Sequence, residues 1–254
     1  MKSKKAEIDK NPKEKKVKIQ KIKIDNRQEI KKQTNKIMKK KMKKFLSIVA
    51  LLSITLFTTA QNKKYIATME KNVAALDTTR DGKQLQSLAN IFERIASAEK
   101  AEWLPSYYAA YCYVNMTYST KGDEIDTYCD RADKFIKVAD SISPNNSEIY
   151  TLRAQIASAR ISVNPMTRGQ KYGMESGEWR EKAKELDKTN PRPYYLEGTA
   201  FYFTPAMFGG GKDKAKPVFQ KALEMYETFK PASTIAPNWG KNSCSYFIKE
   251  CDKK

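Results

Sequence analysis

Beyond residue 61 the apolar residues recur at intervals of three and four, and no strict polar and apolar alternation runs between hairpin turns, so the pattern is helical. Ile66, Met69, Val73 and Leu76 mark a helix over Lys63–Thr78. Past the break at Arg80-Asp81-Gly82, Leu85, Leu88, Ile91, Phe92 and Ile95 mark a second that runs to Glu99. Pro105 stands where a first-turn proline is tolerated and opens a third helix to about Ser119. Gly122-Asp123 breaks it before a fourth that ends near Ile142. Ser143-Pro144-Asn145-Asn146 is a stop and restart, after which helices read over about Ser147–Val163, Thr167–Asp187, Pro193–Phe203, Asp213–Phe229 and Trp239–Cys251. Nine helices, no strand and short turns predict an all-α fold of antiparallel helix hairpins, and residues 61–254 fit one domain.

Several second helices of these hairpins share a small-x3-large-x2-small spacing. Ala132, Ile136 and Ala139 are followed by Pro144; Ala215, Phe219 and Ala222 repeat the spacing; Ala89 and Ala96 keep its ends with Phe92 one place early. Tyr194 to Phe201, with Gly198 inside it, reads as a first helix, and Lys184 to Pro191 as a linker between repeats. In these residues, over most of positions 82–230, the chain resembles the tetratricopeptide repeat family. The resemblance implies a short right-handed solenoid in which each hairpin hides its apolar face on the next. It also implies that the first helices line a groove able to hold an extended peptide. The repeats are degenerate: Tyr108, Tyr150 and Tyr195 are 42 and 45 residues apart, where that family repeats every 34 or so. Ser176 and Arg180 stand where alanine and phenylalanine are expected.

The segment KMKKFLSIVALLSITLFTTAQ, residues 41–61, departs from the helical periodicity and has the three-part build of a secretory signal peptide. Lys43 and Lys44 precede an uncharged, mostly apolar run from Phe45 to Phe57, and Thr58-Thr59-Ala60 supplies small residues before a cut at Gln61. The run falls short of the roughly 20 apolar residues that span a bilayer, and no cysteine follows it until Cys112. The expected organisation is a disordered basic leader over residues 1–41, a signal peptide over 42–60 and an exported helical domain over 61–254. Residues 1–37 hold no aromatic residue and no apolar period. They read either as sequence upstream of a true start at Met38 or Met42, or as an extended basic n-region. The expected address is the periplasm, with the extracellular space or retention by an uncleaved signal as alternatives.

Dividing the charge at this segment changes what the net charge of +19 means. Residues 1–44 carry 19 Lys and Arg against 5 Asp and Glu, whereas residues 61–254 carry 29 against 24. The basic excess belongs to the leader, which removes the electrostatic footprint expected of a nucleic-acid partner. A membrane is expected to meet the chain only during export.

The chain has no histidine, which removes the commonest general base, the commonest zinc ligand and every Ser-His or Cys-His nucleophile pair. No catalytic residue, metal or cofactor is expected. Gly209-Gly210-Gly211-Lys212 lacks the spacing and the Ser or Thr of a phosphate-binding loop and reads as a long turn, with Met207 and Phe208 folded back on the hairpin. Four cysteines in an exported chain suggest two disulfides. Cys112 and Cys129 lie at similar height on antiparallel helices and are the first candidate pair. The family alignment, however, turns Cys112 toward the groove. Cys244 and Cys251 are too far apart to bridge within one straight helix.

Tyrosines crowd two first helices, with Tyr107, Tyr108, Tyr111, Tyr113 and Tyr118 on one and Tyr194, Tyr195 and Tyr202 on another. Packing explains aromatics at helical spacing more often than ligand contact does, yet their density exceeds what packing requires. The resemblance makes Tyr108, Asn115, Tyr150, Tyr195 and Tyr202 the groove candidates. The first functional expectation is an exported scaffold that binds a protein or peptide partner. The alternative is a binding module for a glycan or other small ligand on a tyrosine-lined surface, and an enzyme relying on carboxylates comes third.

Overall fold

The computed structural model describes residues 63–79 and 81–253, together with seven separate helical positions between residues 21 and 39. The expected signal peptide and its cleavage point lie outside the described residues. Among them the fold is all-α. Helix α1 covers residues 63–78. It is followed by α2 (Gly82–Ala98), α3 (Leu104–Met116), α4 (Glu124–Ile142), α5 (Ser147–Ile161), α6 (Pro165–Leu186), α7 (Arg192–Phe203), α8 (Lys212–Thr228) and α9 (Lys241–Asp252). None of the described helices is long and apolar enough to cross a membrane.

Local chemistry sets the boundaries. The side chain of Asp81 accepts from Gln84 N at 2.9 Å, Asn146 from Glu148 N at 2.9 Å and Asn164 from Thr167 N at 3.2 Å, so three helices start on side-chain caps. Prolines open α3, α6 and α7 from the first turn, where no intrahelical donor is lost. Helix α3 tightens into a short 3-10 turn over Thr117–Ser119, which closes the helix expected to end there. The last helix starts later than its periodicity suggests: Trp239 lies outside it, and Gly240 precedes its first residue in a left-handed conformation. At Gly209 and Gly211 the turn before α8 also needs positive φ, as expected of that glycine run.

Helices pack on their neighbours in sequence, and α3, α5, α7 and α9 also touch one another in turn, making one layer of first helices. Met69, Leu85, Phe92, Tyr107, Tyr113, Ile136 and Ile149 fill one core shared by α1 to α5. Ala215, Phe219, Ala222, Tyr226 and Cys244 fill a second under α7 to α9. Ala154, Leu196 and Trp239 join the two. Ala89, Ala132, Ala139, Ala215 and Ala222 of the repeated spacing are fully buried, which lets the helix axes close up, whereas Ala96 is half-buried.

One buried ion pair fixes the start of α7. Arg192 donates through Nε to Glu148 Oε2 at 2.7 Å and through Nη2 to Glu148 Oε1, while Asn190 Nδ2 donates to Glu148 at 3.0 Å. Burial pushes the Glu148 carboxyl up and the guanidinium draws it back. Burial likewise opposes the Arg192 charge, but Glu148 outweighs it and the guanidinium is held above its ordinary value.

Candidate functional site

The five groove candidates do not share one surface. Tyr108 is buried: its ring stacks on Phe92 at 5.3 Å, and its hydroxyl donates to the Ile235 carbonyl at 2.9 Å. Asn115 is half-buried and donates to the Tyr111 carbonyl of its own helix at 2.7 Å. Tyr150 packs on Trp179 at 5.2 Å. Tyr195 and Tyr202 are half-buried and are brought together through Phe247, at 6.4 and 5.0 Å.

The segment between α8 and α9 explains the difference. Residues 229–240 return across the layer of first helices and bury Ile235 and Trp239 there. Trp239 stacks on Tyr111 at 5.1 Å, donates through Nε1 to the Tyr107 hydroxyl at 2.8 Å, and accepts at its carbonyl from Tyr226 at 3.2 Å. Where the resemblance places a peptide, at Tyr108, the chain lays its own backbone.

From Trp239 an aromatic strip runs outward over α7 and α9. Trp239 meets Tyr195 at 6.4 Å, Tyr195 meets Phe247, Phe247 meets Tyr202, and Phe203 and Tyr246 stand against Phe247 at 5.8 and 5.5 Å. The outer end is open: Phe203 is 71% and Tyr246 56% exposed. Met207 and Phe208, in the loop after α7, are 83% and 64% exposed. This corrects the expectation that they fold back: the short 3-10 turn Ala206–Phe208 points them outward. Tyr118 has an exposed ring, while its hydroxyl accepts from Gln155 Nε2 at 3.0 Å. Phe203, Phe247 and Tyr246 escaped the reading of the sequence. Their place beside Tyr195 and Tyr202 comes from the packing of α9 on α7, which no local pattern records.

Two other features are internally satisfied. Cys112 and Cys129 are fully buried thiols, and Cys129 Sγ is turned to the Ile156 carbonyl of α5 at 3.8 Å. Burial pushes the Cys129 and Cys244 thiols up to about 12. A cleft of about 610 Å³ opens among the inter-helix turns, bordered by Trp103, Glu148, Asp187 and Phe229. Its carboxylates are committed, Glu148 to Arg192 and Asp187 to the Thr189 backbone and hydroxyl.

The strip is a surface of exposed aromatic and methionine side chains on α7, α9 and the loop after α7. No family model matches the chain, and none of the curated proteins matches it. Among solved structures, the HusA haemophore from Porphyromonas gingivalis matches with a TM-score of 0.68 and 37% sequence identity, over 74% of this chain and 92% of that one. The chain belongs to the HusA family. Nothing in these comparisons points to a catalytic family.

Proposed function

We propose that this member of the HusA family is an exported carrier that binds a porphyrin of the haem class on the aromatic strip of α7 and α9. The open end of that strip carries the reading: Phe203, Tyr246, Phe208 and Met207 expose apolar surface next to the ring ladder Trp239, Tyr195, Phe247 and Tyr202. A flat macrocycle gains most from offset stacking on such rings. A patch of this kind on a soluble domain marks a binding site. The solved relative is a haemophore, and the small-ligand alternative follows from it more directly than the peptide scaffold does. Occupation of the first-helix layer by residues 229–240 also removes the Tyr108 end of a peptide groove. Export rests on the signal-like segment 42–60.

With no histidine in the chain, an iron ligand would have to come from tyrosine, methionine or cysteine, so ring stacking is assigned the larger share of affinity. Absorbance titration of the purified protein with haem and with iron-free protoporphyrin tests this. Both are expected to bind with affinities within about tenfold, and Phe203→Ala with Tyr246→Ala is expected to weaken both by about tenfold or more, at about 0.5–1.5 kcal/mol per aromatic contact. Saturable binding of neither porphyrin would overturn the reading.

A further inference from the structure

Arg180 is an anomaly in the packing. The repeated spacing of the second helices places Ile136 in α4 and Phe219 in α8, each fully buried between fully buried small residues. In α6 the same three places are Ser176, Arg180 and Ala183, with Ser176 and Ala183 buried just as tightly. The middle hairpin therefore carries a guanidinium where its neighbours carry hydrocarbon. At the equivalent place Phe219 sits between α7 and α9, stacked on Phe247 at 5.3 Å. Arg180 holds the corresponding place between the middle and last hairpins.

It has no carboxylate within ion-pair distance. The other arginines of the described helices that are not exposed each have a carboxylate within 4.0 Å: Arg153 has Asp140, Arg160 has Asp126, Asp130 and Asp133, Arg168 has Asp126, and Arg192 has Glu148. Arg180 has one hydrogen bond, from Nη1 to Ser176 Oγ at 2.7 Å, and its buried Nε has no partner. The nearest acids are Glu181 and Glu197, and both are bridged by Lys184 Nζ, at 2.8 and 2.9 Å. Burial consequently lowers the guanidinium from its ordinary value. An unpaired, half-buried cation is costly, and it is held in place by structure around it. Ser176 Oγ donates to the Ala154 carbonyl at 2.8 Å and meets Ser158 Oγ at 2.7 Å.

Nε is closed off and Nη1 is held by Ser176, so Nη2 is the donor left open, and a carboxylate reaching it would accept a charge-assisted hydrogen bond. The location connects it to the strip. Ala154, which anchors Ser176, packs in the cluster of Leu196 and Trp239 with Tyr111 and Tyr195 against it. Ser158 lies one helical turn beyond Gln155, the residue that holds Tyr118.

We propose that Arg180, backed by Ser176 and Ser158, is a carboxylate subsite that receives a propionate of the porphyrin. This rests on the porphyrin reading above. It adds a selectivity: ring stacking alone does not distinguish a porphyrin diacid from its neutral ester, whereas a guanidinium with an open donor does.

The test titrates protoporphyrin IX and its dimethyl ester, in identical dilute detergent, into the full protein and into Arg180→Met and Arg180→Gln. The wild type is expected to prefer the diacid by about tenfold or more, from hydrogen bonds to a charged group. Both variants are expected to lose that preference while binding the ester as the wild type does. Because the charge has no carboxylate within ion-pair distance, Arg180→Met is expected to melt at or above the wild-type temperature, which a purely structural arginine would not do. A preference retained in both variants, or no preference in the wild type, overturns the subsite and leaves the porphyrin reading standing. Failure of the wild type to bind either porphyrin overturns both.

Discussion

The Tyr108 hydroxyl donates to the carbonyl of Ile235, 2.9 Å away and 127 positions later in the chain. This bond, with that of Trp239 Nε1 to the Tyr107 hydroxyl, fastens residues 229–240 to α3. Tyr108→Phe keeps the ring stacked on Phe92 but leaves a buried carbonyl without a donor, a loss of about 1–3 kcal/mol. A drop in urea midpoint with unchanged slope, and new proteolytic cuts confined to residues 229–240, are the expected results. Unchanged protease resistance would mean that Trp239 alone holds the segment.

The same end of the fold depends on the Glu148 and Arg192 pair. Removing one partner strands the other charge, so Glu148→Gln is expected to destabilise by about 3–5 kcal/mol. Replacing both, as Glu148→Met with Arg192→Met, is expected to cost markedly less than the single change, since the interior prefers hydrocarbon to an unpaired guanidinium. Chemical denaturation of the two variants side by side checks the order, and a double variant weaker than the single one would contradict it.

Most helices were legible because period and punctuation agree near their boundaries, although α6 starts two residues before the expected Thr167 and α9 two after the expected Trp239. Asn146 and Asn164 cap the helices they precede, and Pro105, Pro165 and Pro193 open first turns. The stacking of hairpins was legible too, from the buried triplets Ala132, Ile136, Ala139 and Ala215, Phe219, Ala222. Half of the site was not. Periodicity places Tyr108 and Tyr195 on first helices but does not say what covers them, and cover at Tyr108 comes from a segment without any period, through a backbone carbonyl. Trp239 was read as helical because apolar spacing continues through it, whereas its indole is buried against α3. Arg180 was visible as a departure from the repeat, but its lack of a carboxylate depends on Lys184 holding both nearby acids.

Alkaline pH should reveal the buried acids. The thiols of Cys129 and Cys244 keep their protons to about 12 in the folded chain against an ordinary value of 9.0. The hydroxyls of Tyr107, Tyr108, Tyr195 and Tyr226 are raised by burial above an ordinary 10.0. With the folded values raised, the unfolded chain binds fewer protons from pH 9 upward, so stability is complete below pH 9 and falls as pH rises beyond it. Melting temperature against pH, with tyrosinate absorbance lagging until unfolding, tests the sign. At pH 8 a thiol reagent should reach half-buried Cys251 before the three buried cysteines, and all four after unfolding without reductant. Two thiols after unfolding would instead mean that one disulfide forms, and peptide mapping would show whether it joins Cys112 to Cys129.

Gly198 is where the last hairpin is most tightly closed. A Cβ built there would lie 2.5 Å from the ring of Phe219, which is itself fully buried and stacked on Phe247. The ring has no room to retreat, so Gly198→Ala should destabilise by at least about 1–3 kcal/mol, despite the better helix propensity of alanine. Because Phe247 belongs to the aromatic strip, displacement of Phe219 should also reach the ligand surface. The variant is expected to weaken porphyrin binding as well as stability. Phe219→Leu introduced beside Gly198→Ala removes the clash and should recover part of the stability. If the single variant is as stable as the wild type, the close approach of α7 and α8 is not what seats Phe247.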